Sequence, residues 1–200
     1  TCNAPDFTGD GRNCTDAIVP VGPTPCPGEP IAGTTWSWPA NMAQLANVEC
    51  IYGNLTISST ALTNLAGLES LKWIGGNLTI QSNGSLASLT GLGGLTTVVG
   101  NVYINNNVTL DAVDALTSLT TIGGYLELNY NPQVANLAGL AALQRVGGQL
   151  YIYYNNALPT LAGLGNLLEI GGNLRIDYNA ALVHIDSLAS LRKIGGYVDI

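Results

Sequence analysis

A glycine recurs every 24 residues through most of this chain, at Gly76, Gly100, Gly124, Gly148, Gly172 and Gly196. The same step links Asn83, Asn107, Asn131, Asn155 and Asn179, and it also links Leu92, Leu116, Leu140, Leu164 and Leu188. A copy one residue shorter begins at Leu45 and sets Gly53 against Gly76. A period of this length, held without a slip, describes one unit stacked on itself, because a single copy cannot bury its own apolar face. The expected architecture is a right-handed parallel β-solenoid of about seven coils.

Inside a copy, Leu78 and Ile80 alternate with Asn77, Thr79 and Gln81. Alternation with period 2 describes a short strand with one face in and one face out. Asn83 follows three residues after Ile80, giving L-x-I-x-x-N, the strand end of a leucine-rich repeat. Its expected work is inside the coil, where a buried amide satisfies backbone groups of neighbouring coils. Leu86, Leu89, Leu92, Leu95 and Val98 step by three, which favours tight turns and short extended or 3₁₀ pieces over a full helix. The Gly pair before each strand is expected to allow a corner that Cβ-bearing residues resist. Parallel stacking puts the strands starting at Asn54, Asn77, Asn101, Tyr125, Gln149, Asn173 and Tyr197 in one sheet, about 29 Å across at ~4.8 Å per strand.

Composition narrows the function. Charged residues are 10% of the chain, and the net charge is -7, the wrong sign for tracking a nucleic-acid backbone. No apolar run approaches the ~18 residues that span a membrane. Thr1 opens the chain without a basic and apolar leader, as in a mature or excerpted sequence. All four cysteines, Cys2, Cys14, Cys26 and Cys50, fall in the first 50 residues. Two disulfides in an oxidising compartment are the favoured reading, because no pair has the close C-x₂₋₄-C spacing of a structural zinc site.

The stretch "ECIYGNLTI" (49–57), followed by copies of "L..L..IGG.L.I..N..L", resembles the receptor L domain. That module occurs in the ectodomains of insulin and epidermal growth factor receptors and in many extracellular proteins. The resemblance covers residues 44–200 and implies an extracellular solenoid whose first coil is tied by a disulfide through Cys50. "CNAPDFTGDGRNC" (2–14) resembles the closing hairpin of an EGF-like module, assigned to residues 1–18, and this resemblance implies the pairs Cys2–Cys14 and Cys26–Cys50. Residues 19–43 hold a Pro-rich connector, "VPVGPTPCPGEP", and the start of an N-terminal cap. Asp6, Thr8, Asp10 and Gly11 imitate the opening of a calcium loop, but Ala17 stands where its twelfth-position Glu belongs. No metal or cofactor is expected.

Little in the chain suggests catalysis. His184, the single histidine, sits in the outward column of Ser88, Ala112, Asn136 and Thr160, near Asp186 but with no placed nucleophile. Glu127, Asp177 and Asp199 are expected on the sheet face two strands apart or more, roughly 10 Å, which does not form a glycosidase pair. The outward sheet positions are more informative. They hold Tyr103, Tyr125, Tyr130, Tyr151, Tyr153, Tyr154, Tyr178 and Tyr197, interleaved with Asn101, Asn105, Asn106, Asn129 and Asn173. Exposed aromatics among amides suit a protein or sugar partner, although a cross-strand ladder that only stabilises the sheet uses the same residues.

Five N-x-S/T sequons occur, at Asn13, Asn54, Asn77, Asn83 and Asn107. Asn54 and Asn77 are expected to be more accessible than Asn83 and Asn107, which belong to the inward Asn column. The resulting expectation is a secreted, non-catalytic recognition or adhesion module. The alternative is a structural glycoprotein that assembles end to end into surface filaments. The last copy stops at "IGGYVDI" with its coil unclosed, so this end is expected to be continued by further chain or covered head to tail by another molecule.

Overall fold

The structure, a computed structural model, describes residues 45–200 and the backbone of one strand at Thr35–Trp38. The EGF-like fragment, Cys2, Cys14, Cys26, Asn13 and most of the 19–43 connector lie outside the described residues.

Each coil lays down two strands. A two-residue strand comes first: β2 (Cys50–Ile51), β4 (Trp73–Ile74), β6 (Thr97–Val98), β8 (Thr121–Ile122), β10 (Arg145–Val146), β12 (Glu169–Ile170) and β14 (Lys193–Ile194). After the glycine corner comes the second strand: β3 (Asn54–Ser58), β5 (Leu78–Gln81), β7 (Val102–Asn105), β9 (Leu126–Asn129), β11 (Leu150–Tyr153), β13 (Leu174–Asp177) and β15 (Val198–Asp199). Both sets pair in parallel from coil to coil, so the chain is a β-solenoid of six turns between β3 and β15. The expected seven-strand sheet is extended to eight by β1 (Thr35–Trp38), which pairs in parallel with β3. The second, seven-stranded sheet of two-residue strands was not expected. It arises because the single apolar residue before each Gly pair faces inward, leaving room for only two extended residues.

Register follows the repeat. Leu78, Val102, Leu126, Leu150 and Leu174 lie side by side, as do Ile80, Ile104, Leu128, Ile152 and Ile176. These side chains and the leucines of the opposite wall form one continuous core, nearly all fully buried. On that wall Leu92 N–H donates to Leu89 O at 3.2 Å, and Leu95 N–H donates to Leu92 O at 3.1 Å. Burying every third residue demands turns of three, so the wall closes into 3₁₀ pieces such as Ala138–Leu140 and Asp186–Leu188 rather than an α-helix.

The glycine corners have a different cause from the one expected. None of the paired glycines adopts a left-handed φ. The constraint is contact between coils: a Cβ on Gly147 would strike the carbonyl of Gly123, and one on Gly124 would strike the Asn101 side-chain oxygen. The corners stack so closely that Gly124 N–H donates to Gly100 O at 2.9 Å, and Gly148 N–H to Gly124 O at 2.8 Å.

Asparagines occupy the opposite end of each long strand. Asn83, Asn107, Asn131 and Asn155 are fully buried. In each coil the amide Nδ2 donates back to a strand carbonyl, as Asn107 does to Ile80 O at 3.0 Å and Asn155 does to Leu128 O at 2.8 Å. Each Oδ1 accepts from the backbone N–H of the preceding coil's Asn, at 3.2 Å for Asn83 to Asn107 and 3.0 Å for Asn107 to Asn131. Thr60 caps the first rung through its N–H and hydroxyl, both on Asn83 Oδ1.

Candidate functional site

The long strands alternate, so residues 56, 79, 103, 127, 151, 175 and 199 form one outward column, and 58, 81, 105, 129, 153 and 177 form the next. Toward the N-terminal coils these columns carry Ser, Thr, Gln and Asn; toward the C-terminal coils they carry tyrosine and charge. Tyr125, Tyr130, Tyr178 and Tyr197 are exposed, while Tyr103, Tyr151, Tyr153 and Tyr154 are half-buried.

The residue just past each strand takes a left-handed conformation: Ser59, Ser82, Asn106, Tyr130, Tyr154 and Tyr178 have φ between 53° and 57°. This conformation turns the side chain outward a second time, so that Tyr153 and Tyr154 both face solvent before Asn155 turns in. Tyr130, Tyr154 and Tyr178 therefore stand one strand spacing apart and stack. Their ring centroids are 4.6 Å apart with planes at 11° for Tyr130 and Tyr154, and 4.7 Å apart with planes at 3° for Tyr154 and Tyr178. Tyr153 meets both Tyr130 and Tyr154 edge-on, at 5.3 and 5.4 Å. Both faces of Tyr154 are consequently covered by neighbouring rings. Tyr154 therefore presents its ring edge and hydroxyl to solvent, while Tyr178 is stacked on one face only.

The asparagines expected beside these rings divide by role. Asn101 is a corner residue: its Oδ1 accepts the Tyr125 N–H at 2.7 Å, as Asn54 Oδ1 accepts from Asn77 and Asn77 Oδ1 from Asn101. Asn129 is 1% exposed, so it is a floor beneath the surface rather than the open contact expected. Asn105 and Asn129 both donate their amide hydrogens to Glu127 Oε1, Asn105 at 3.2 Å. The Oδ1 atoms of Asn105 and Asn129 are buried with no donor. Glu127 lies between Tyr103 and Tyr151 on the adjacent strands. From the sequence Glu127 is expected only as one of the sheet-face carboxylates; its signal is being the acidic residue with a tyrosine on either side in its column.

Burial, and after it charge, pushes these phenols one way. Partial burial, followed by the Glu127 carboxylate, raises the Tyr103 pKa; burial, then Tyr130, then Glu127 raise that of Tyr153. Tyr151 is raised mainly by burial, and Tyr154 by desolvation and its stacked neighbours. Asp177 and Asp199 sit on adjacent strands, closer than the two-strand separation expected. Arg175 lies between them, 2.9 Å from Asp177 Oδ2 and 3.3 Å from Asp199 Oδ2. The Asp177 hydrogen bond is the main reason the Arg175 guanidinium is held more firmly protonated.

Of the sequons, Asn83 and Asn107 are fully buried in the amide ladder, while Asn54 and Asn77 are half-buried at the surface. His184 stands on an exposed loop, its Nδ1 3.9 Å from Asp186 Oδ2, and its backbone bridges Thr160 as the column predicted. Among the described residues no helix is long and apolar enough to cross a membrane. No family model matches this chain, and no match was found among curated proteins or solved structures.

Proposed function

We propose that this chain is an extracellular recognition module that binds a partner protein through the tyrosine-bearing part of its long sheet, without catalysis. One observation carries the reading. The left-handed position past each strand accepts Ser59, Ser82 and Asn106 as well as tyrosine, so the fold does not require Tyr130, Tyr154 and Tyr178. A bulky aromatic in a left-handed conformation is itself unfavourable by about 1 kcal/mol or more. Three in a row, the outer two exposed and the middle one half-buried between them, are placed for display. Ring edges and hydroxyls fit a protein surface better than a sugar, because the middle ring has no free face to stack on. The receptor L-domain resemblance, the Cys2–Cys14 and Cys26–Cys50 disulfides, and glycans on the N-terminal coils belong to the same proposal. They describe a secreted module sugared at one end and bare at the other.

The test compares the native chain with a Tyr130→Ser, Tyr154→Ser, Tyr178→Ser variant on arrays of displayed extracellular proteins and of glycans. The expected result is protein binding that the variant loses while its circular dichroism is unchanged. Binding that the variant retains would remove the ladder from the site, and binding confined to glycans would favour a carbohydrate partner.

A further inference from the structure

The described sheet face carries four charged side chains: Glu127, Arg175, Asp177 and Asp199. Arg175 is satisfied by both aspartates. Glu127 has no cation among the described residues. It is half-buried, and two amides occupy one of its oxygens, Oε1. The other oxygen, Oε2, has no such bond. Tyr103 and Tyr151 hold the equivalent positions one strand to either side, which sets their backbones about 10 Å apart with Glu127 midway. A cation resting on Glu127 would lie between the two strands that carry these rings, nearest the Tyr103 phenol, which feels the Glu127 charge, and cation–π attraction acts over about 6 Å. In the next column along the strands are the Asn105 and Asn129 Oδ1 atoms, buried and without donors. Natural structures rarely leave such acceptors unmatched.

On the premise that this face is the binding face, we propose that Glu127, flanked in its column by Tyr103 and Tyr151 and bordered in the next by Asn105 and Asn129, receives the ε-ammonium of a lysine on the partner protein. The donor count selects ammonium over guanidinium. An ammonium carries three hydrogens on a compact charge; with one amide rotated, Glu127 Oε2 and that amide oxygen accept two of them while the other amide still holds Oε1. Rotation of either amide about its Cβ–Cγ bond exchanges Nδ2 for Oδ1 and turns the oxygen toward the bound cation, which replaces the amide donor to the carboxylate. A guanidinium binds best across two oxygens of one carboxylate, and Oε1 stays engaged by the amide that has not turned. The net charge of -7 favours approach of a basic partner.

The experiment titrates the whole chain with Nα-acetyl-lysine methylamide, its arginine counterpart, tetramethylammonium and glucosamine, following chemical shifts of residues 101–106 and 125–131. The lysine compound is expected to bind at millimolar strength, at least about fivefold tighter than the arginine compound. Glu127→Gln, which keeps both amide bonds and removes only the charge, is expected to weaken it about tenfold or more. The Tyr103→Ala, Tyr151→Ala pair is expected to weaken it similarly, with circular dichroism confirming the fold. Unchanged affinity in Glu127→Gln would overturn the proposal. Tighter binding of tetramethylammonium would overturn the donor argument, and tighter binding of glucosamine would replace lysine with an amino sugar. A Glu127→Gln chain that still binds its array partner, while the tyrosine-ladder variant does not, would leave the binding face standing and refute the ammonium site alone.

Discussion

Two ladders run side by side along this solenoid with the same 24-residue step, and they are built on opposite grounds. The inner one, Asn83 to Asn179, uses the same residue on every coil, because each amide must both donate to a carbonyl of the preceding coil and accept an N–H from it. The outer one, one residue earlier, tolerates Ser59, Ser82, Asn106 and then Tyr130, Tyr154 and Tyr178 in the same backbone conformation. Invariance inside reports a hydrogen-bonding requirement; variation outside reports what is displayed. Replacing a rung should therefore cost stability in the first ladder and binding in the second.

The largest effect is expected from Asn131→Leu. It strands the buried Asn107 N–H and the Ile104 carbonyl, which Asn131 now satisfies at 3.0 and 2.7 Å. At ~1–3 kcal/mol for each orphaned buried group, urea unfolding should show a loss of about 4 kcal/mol. A loss below about 1 kcal/mol would mean that the inner ladder is not structural. Next are the corners. Gly147→Ala should cost about 2–3 kcal/mol, because its Cβ meets only the backbone of Gly123 and the neighbouring coil. Gly148→Ala should cost less, about 1 kcal/mol, since its nearest obstacle is the movable Tyr125 ring. Equal costs would point to backbone conformation rather than contact as the cause.

Glycan occupancy separates the inner ladder from the corner asparagines. In a eukaryotic secretory host, Asn54 and Asn77 should be modified and Asn83 and Asn107 bare, as read by glycopeptide mass spectrometry. Full occupancy at Asn107 would contradict the burial of its amide. In the outer ladder, Tyr154→Asn should change stability by less than about 1 kcal/mol. Lost stacking, about 0.5–1.5 kcal/mol per pair, is offset by a residue better suited to a left-handed backbone. The same substitution should weaken partner binding about tenfold or more; a large stability loss with intact binding would make the tyrosines a stabilising ladder and nothing else.

The smallest effect is alkaline. The phenols of Tyr103, Tyr151 and Tyr153 hold their protons more tightly when folded, chiefly through burial. In the unfolded chain, tyrosine ionises near about pH 10. Their contribution to stability is thus complete below that value and is lost as pH rises through the higher folded pKa values. Phenolate absorbance should rise later than for free tyrosine. Glu127→Gln should bring the Tyr103 and Tyr153 ionisations to lower pH, because the carboxylate opposes both.

Much of this was legible in the residues. The period, the strand at each L-x-I, the buried leucines, the inward asparagine and the outward tyrosine columns all follow from rules that act within one copy and repeat. A buried face must be apolar, an alternating strand must show two faces, and a conserved step must stack like on like. Sequence alone also marked Tyr130, Tyr154 and Tyr178 as one column. Tertiary structure decided the relations between atoms 24 residues apart. The left-handed turn that lets Tyr153 and Tyr154 face outward together depends on neither residue's type. The stacking that closes the faces of Tyr154, the carbonyl that forbids a Cβ on Gly147, and the two amides that gather on Glu127 while their oxygens go unmatched all depend on how closely one coil sits on the next. That distance is set by backbone hydrogen bonds between coils, which every residue makes alike, so no single residue records it.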